Sequence, residues 1–403
     1  MKIIEGGVAS PKGFTAAGIH CGIRKNKSKK DLALVYSEVP ATAAAVYTQN
    51  LVCGAPIVVC KENLKNGVAQ AMVCNSGIAN TCNKDGVEVA KDMCEITANA
   101  LSIDAEDIIV ASTGVIGPSL DLQPISDGMP ALVGELSVDG SLNAAQAIMT
   151  TDTVAKTLAV EFEINGQKAV VGGMAKGSGM INPNMATMLS FITTDVSIEP
   201  ELLQKLLKSA ADCSFNRVSV DGDTSTNDTL CIMANGQSGI DIKGNTDACT
   251  AFADALNLVC VTLAKMLAKD GEGATKLIEC FVRGAKTVQD GNKIADSVIN
   301  SPLVKTAMFG CDANFGRTLC AIGYAGVPLD AGRIDASLKS SAGEMSVCEN
   351  GLVVAFSEEK ALEILKCDEI IIDITLHEGE YTGMAWGCDL SYDYVKINGD
   401  YRT

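Results

Sequence analysis

What most constrains this chain is the alternation of its apolar segments. Short β-rich runs are separated by stretches with helical spacing, and the pattern continues from end to end without a repeat or a linker. In the first half the runs fall at residues 32–36, 56–60, 70–74, 108–111, 154–164 and 169–173. Between them, residues 86–101 carry apolar side chains three and four apart, the spacing of an amphipathic helix. In the second half the same reading predicts helices at 199–212 and 246–268, and strands at 217–220, 229–234, 275–283 and 369–376. The chain is therefore expected to be mixed α/β. Its 403 residues suffice for one large core in two or three layers or for two domains, and no Pro/Ser-rich linker marks a boundary.

Charge and composition exclude several classes of function. A formal net charge of −17 repels a polyphosphate backbone, and the one basic run, Arg24, Lys25, Lys27, Lys29 and Lys30, reads as a solvated loop, so no nucleic acid is expected as a partner. No apolar run reaches the eighteen or so residues of a membrane helix, and residues 1–5 lack a secretory signal's basic end and apolar core, so no membrane partner and a cytoplasmic location are expected. The sixteen cysteines include no CxxC pair and read as reduced thiols. Zinc-ligand spacing is missing, and neither a metal nor a cofactor is expected. With only His20 and His377, schemes that need an imidazole base are also disfavoured.

A base must then come from elsewhere, which directs attention to residues 172–189. This glycine-rich loop follows a strand, carries an Asn182-Pro183 turn signal and re-enters an apolar run with Thr187 at the junction. A threonine hydroxyl needs a base, and its own α-amine can serve once the Ala186–Thr187 bond is cut. That amine has an unperturbed pKa of about 8. Read from residues alone, an ordinary turn feeding a strand remains the simpler alternative. A phosphate-binding loop fails because the GxxxxGK[ST] order is absent and no helix follows.

Several long motifs occur in a recognisable order. They are Lys176-Gly177-Ser178-Gly179-Met180-Ile181, the stretch Pro183 to Leu189, the stretch Asp221 to Thr229, and the terminal Tyr392-Asp393-Tyr394-Val395, Asn398 and Asp400 to Thr403. In these the chain resembles the glutamate N-acetyltransferase / ornithine acetyltransferase family of arginine biosynthesis, from about Gly7 to Thr403. The resemblance implies an αββα sandwich of the type shared with self-processing aminopeptidases. It also implies self-cleavage between Ala186 and Thr187 into fragments 1–186 and 187–403, which stay together and pair into a heterotetramer of two α and two β fragments. Both fragments are expected to build one catalytic unit.

Site residues follow from the resemblance. Ser112-Thr113-Gly114 stands after a strand and reads plainly as a turn; the family implies that the Thr113 hydroxyl and the Gly114 N–H form the oxyanion hole. Thr153, in the polar cluster 150–153, Lys176, Glu272, Asn398 and Thr403 are implied to contact substrate together with Thr187. The family's proline before Lys156 is here Ala155, and Ala313 and Phe315 replace its proline and tryptophan. Residues 221–229, dense in acids and hydroxyls, are read as a hydrogen-bonded structural loop rather than a cation site. Tyr392, Tyr394, Ile397 and Tyr401 are expected to anchor the chain end.

The implied reaction is ping-pong transfer of acetyl from N-acetylornithine to glutamate through acetyl-Thr187, with acetyl-CoA as a conceivable second donor. A hydrolase of the same fold and a non-catalytic glycine-loop binding protein are the rival readings.

Overall fold

The structure is a computed structural model and describes residues 1–182 and 188–400. The chain forms two compact units. The first comprises residues 1–177, 184–216 and 223–263; the second comprises 178–183, 217–222 and 264–403. Each unit holds one mixed sheet together with helices, as the α/β reading expects.

In the first unit nine strands pair. The order along the sheet is Lys2–Ile4, Lys156–Ile164, Gln167–Lys176, Leu189–Thr194, Thr229–Ala234, Leu32–Tyr47, Val68–Ile78 and Ile108–Val115, and Phe14–Ile19 pairs with Leu32–Tyr47. Local sequence explains the directions. The hairpin joining 156–164 to 167–176 turns on Asn165-Gly166, both at positive φ, which suits an antiparallel pair. The two parallel pairs each span a helical crossover: Gly86–Leu101 links Val68–Ile78 to Ile108–Val115, and Pro200–Cys213 links Leu189–Thr194 to Thr229–Ala234. A core built from Leu32, Leu34, Met72, Val73, Met93, Ile108 and Phe191 fills the space under the sheet. Burial of this kind stabilises by roughly 25 cal/mol per Å² of apolar surface.

In the second unit seven strands follow the order Leu352–Val353, Gly343–Glu349, Asp335–Ser340, Glu369–Thr375, Leu277–Ala285, Tyr381–Cys388 and Val218–Ser219. Helix Val288–Asn300 packs on the two strands 277–285 and 381–388, with Ile294, Val298 and Ile299 buried. Side-chain caps start several helices: Thr287 accepts from the Asp290 N–H, Ser301 from Val304, and Ser357 from Lys360.

Two expectations need correction. Residues 56–60 are not a strand but part of helix Ala55–Asn63. Pro56 stands in its first turn, where a missing N–H costs nothing, and a five-residue apolar run carries no period that separates strand from buried helix. Helix Thr246–Lys269 is long and apolar enough, by length and composition, to cross a membrane, although no unbroken run of that kind was seen. Its buried residues, Ala248, Phe252, Ala255, Leu256, Val259, Cys260 and Leu263, recur at three- and four-residue spacing, which is the pattern of a core helix with one wet face.

Candidate active site

In the first unit, strand Ile108–Val115 ends in Thr113 and Gly114. It pairs in parallel with Val68–Ile78, so that Gly77 stands opposite Gly114. Both glycines have positive φ, +115° and +128°, and a Cβ on Gly114 would lie 2.2 Å from the Gly77 carbonyl carbon. Two backbones thus approach to a distance that only glycine permits, at the strand end where the oxyanion hole was expected. The Lys176 ammonium donates to the Thr113 hydroxyl at 3.4 Å.

Lys176 ends strand Gln167–Lys176 and is buried. Expected as a substrate contact, it stands in a buried charge cluster. Asp152 accepts from the Lys156 ammonium at 2.8 Å and the Gly177 N–H at 2.7 Å through one oxygen, and from the Thr150 N–H at 3.0 Å through the other. Burial opposes ionisation of Asp152, but the charges of Lys176 and Lys156 and the Gly177 N–H outweigh it and hold the carboxyl well below its usual range. Burial also lowers the pKa of Lys176; Asp152 works against that, and Lys156 and Arg24 add to it. Thr153 is the exposed neighbour of this buried aspartate.

Arg24 departs from the solvated-loop reading of its basic run. Its side chain is half-buried, donates to the Met149 carbonyl at 2.6 Å, and would meet a Cβ at Gly77 at 3.1 Å.

Residues 221–229 hydrogen-bond as expected of a structural segment, and they do so in both units. In the first, the Asn227 amide donates to the Ala79 and Ser112 carbonyls at 2.7 and 3.0 Å and accepts from the Thr81 hydroxyl at 2.6 Å. Asn227 thereby ties down the residue before Thr113. The next residue, Asp228, accepts from the Met188 N–H at 2.9 Å. In the second unit, Asp221 accepts from the N–H groups of Met180 and Ile181 at 2.6 and 2.8 Å, and the Asn182 amide donates to the Gly222 carbonyl at 2.7 Å. Met180 is held at φ +58°, a left-handed conformation that costs a non-glycine residue roughly 1–2 kcal/mol. Backbone strain before the expected cleavage bond therefore sits on a methionine clamped by a carboxylate.

Also in the second unit, Glu272 and Asn398 come together. The Asn398 amide donates to the Glu272 carboxylate at 2.7 Å, the Glu272 N–H donates to the Ser178 carbonyl at 2.8 Å, and a Cβ on Gly179 would fall 2.4 Å from that carboxylate. Of the apolar anchors expected in the terminal helix Tyr392–Gly399, Tyr394 and Ile397 are half-buried. Tyr392 is 85% exposed and meets Phe309 edge-on, whereas the polar contacts are closer: the Ser391 hydroxyl donates to the Gly273 carbonyl at 2.5 Å, and the Tyr394 hydroxyl donates to Asp221 at 3.3 Å.

Ala186, Thr187, Thr403 and the anchor Tyr401 lie outside the described residues. Among the described residues no cluster of three or more His, Cys, Asp or Glu side chains is placed to hold a metal. The sequence reading gave no individual role to Asp152 or Lys156 and read Asn227 and Asp228 only as part of a structural loop. Asp152 has local partners in Thr150 and Lys156, whereas Asn227 reaches Ala79 across 148 residues and Asp228 reaches Met188 across 40.

Comparison with known proteins identifies the family. The model of the ArgJ family matches residues 15–403. A protein named arginine biosynthesis bifunctional protein ArgJ from Caldanaerobacter subterraneus subsp. tengcongensis is 50% identical, with all of both chains covered. A glutamate N-acetyltransferase from Methanocaldococcus jannaschii is 46% identical, again over the whole of both. Among solved structures, arginine biosynthesis bifunctional protein argJ from Bacillus halodurans is 45% identical with a TM-score of 0.51, and the match covers 53% of this chain and 99% of that one. This chain belongs to the ArgJ family.

Proposed function

We propose that Thr187, freed by cleavage of the Ala186–Thr187 bond, carries the acetyl group in a ping-pong transfer from N-acetylornithine to glutamate. The chain is an acetyltransferase of arginine biosynthesis acting on these small molecules. In the proposed mechanism the Thr187 hydroxyl attacks the acetyl carbonyl, its α-amine takes the proton, and the Thr113 hydroxyl and Gly114 N–H receive the developing oxyanion. Ornithine leaves, and glutamate attacks the ester to depart as N-acetylglutamate. Lys176, Thr153, Glu272, Asn398 and Thr403 are the proposed substrate contacts, with Lys176 suited to a carboxylate and Glu272 to an ammonium group.

The observation that carries the cleavage reading is one of length. The solved Bacillus halodurans chain is matched almost whole by 53% of this chain. A fragment beginning at Thr187 would hold 217 of the 403 residues, or 54%. The sheet also suits two fragments that stay together. Strands Leu189–Thr194 and Thr229–Ala234 of the second fragment lie between Gln167–Lys176 and Leu32–Tyr47 of the first, hydrogen-bonded on both sides. On family resemblance we assign the heterotetramer of two α and two β fragments. The sixteen free thiols fit a reducing compartment, the cytoplasm.

The test is incubation of purified protein with glutamate and either N-acetylornithine or acetyl-CoA. Acetylglutamate formed from N-acetylornithine supports transfer, and activity with acetyl-CoA adds that donor. Release of acetate in preference to acetylglutamate would make the protein a hydrolase.

A further inference from the structure

Asp228 is buried and stands just before strand Thr229–Ala234, which pairs in parallel with Leu189–Thr194 so that Thr229 is opposite Leu189. One carboxyl oxygen accepts from the Met188 N–H at 2.9 Å, and the Thr229 N–H donates to the Met188 carbonyl at 3.1 Å. The carboxyl is thus fixed at the residue that follows Thr187. Its other oxygen is buried with no hydrogen-bond partner. The hydroxyls of Thr48 and Ser225 lie nearby and favour the carboxylate; Thr48 donates to the Ser225 carbonyl, and Ser225, which accepts from the Asn227 N–H, keeps the one nearby hydroxyl proton not given to another group.

A purely structural role leaves this unexplained. An asparagine would accept from Met188 equally well without a buried acid, and an unpaired buried oxygen is destabilising. Resting on the reading of Thr187 as nucleophile, we propose that Asp228 is its proton-transfer partner, taking the hydroxyl proton when the Ala186–Thr187 bond is cut and holding the α-ammonium that forms later.

In the cut, the Thr187 oxygen bonds to the Ala186 carbonyl carbon as its proton moves to Asp228. The C–N bond then breaks and the proton returns to the leaving nitrogen. Water hydrolyses the resulting ester, which restores the hydroxyl and leaves a carboxylate on Ala186. During transfer, the protonated amine is stabilised by the same carboxylate. Burial pushes the Asp228 carboxyl well above its usual range, while the Met188 N–H, Thr48, Ser225 and the Lys176 charge oppose the rise. Such a carboxylate is a stronger base than a solvated one.

The test is the Asp228→Asn variant, which keeps the acceptor for Met188 and loses the titrating proton. Freshly translated chain is followed by denaturing electrophoresis, with Thr187→Ala in parallel and a melting curve to check folding. We expect cleavage of Asp228→Asn to slow by roughly 10²-fold or more. Wild-type cleavage rates in Asp228→Asn, with Thr187→Ala uncut, would overturn the proposal; cleavage in Thr187→Ala would instead overturn the nucleophile. Should Asp228→Asn not fold, the unaltered chain decides. Cleavage that rises with pH as Asp228 ionises beside Lys176 supports the proposal, and a rate flat from roughly pH 5 to 9 contradicts it.

Discussion

The two units hold their candidate site residues in different ways. In the first, Lys176, Asp152 and Lys156 form a buried cluster in which each charge depends on another, next to a glycine pair that fixes the end of the Thr113 strand. In the second, Glu272 is met by one amide from an exposed terminal helix. Buried charge with several partners gives fixed geometry at high cost if any partner is lost. A single contact from a wet helix gives recognition that can adjust. On the proposed assignment of site residues, the first unit supplies the fixed chemistry and the second tunes substrate affinity.

The largest expected effect is that of Thr187→Ala, which should leave one uncut chain and lower transfer on the order of 10⁶-fold, as in other nucleophile deletions; mass spectrometry and steady-state assay read both. Next, Thr113→Val should lower kcat by roughly 10²- to 10³-fold with little change in KM, the signature of a donor used in the transition state. An equal loss from a substitution in the second unit would break the contrast.

Asp152→Ala tests whether the first unit's cluster is held by mutual charge. Leaving Lys156 and Lys176 uncompensated should destabilise the protein by about 3–5 kcal/mol in denaturant unfolding. The unaltered protein gives the matching pH effect. The folded Asp152 carboxyl lies below its unfolded value of about 3.9, so its contribution is complete above that pH and is lost as pH falls toward the lower folded value. A melting temperature insensitive to acid in that window would argue against the ion cluster.

Asn398→Ala should have the smallest effect, raising KM roughly tenfold with kcat nearly kept, because it removes one hydrogen bond to a charged group. A fall in kcat as large as that of Thr113→Val would place Asn398 in the chemistry and erase the distinction.

Sequence legibility followed the same division between local and distant causes. Helix Gly86–Leu101 and strand Thr229–Ala234 were predicted to the residue, because their periods and flanking turns are local. Residues 56–60 were misread because a short apolar run is ambiguous. The family resemblance nominated Thr113, Gly114, Lys176 and Glu272, but the residues that hold them could not be found by pattern. Asn227 reaches Ser112 across 115 residues and Asp228 reaches Met188 across 40, through pairings that exist only after the sheet has formed. Lys176 was expected to contact substrate, but nothing nearby in sequence announces its burial.

The central claim is tested most directly by mass spectrometry of the purified protein before and after brief exposure to N-acetylornithine without glutamate. The expected result is two fragments, residues 1–186 and 187–403, with the second gaining one acetyl group on the Thr187 hydroxyl and losing it when glutamate is added. A single uncut chain of 403 residues, or an acetyl group that glutamate does not remove, would contradict it.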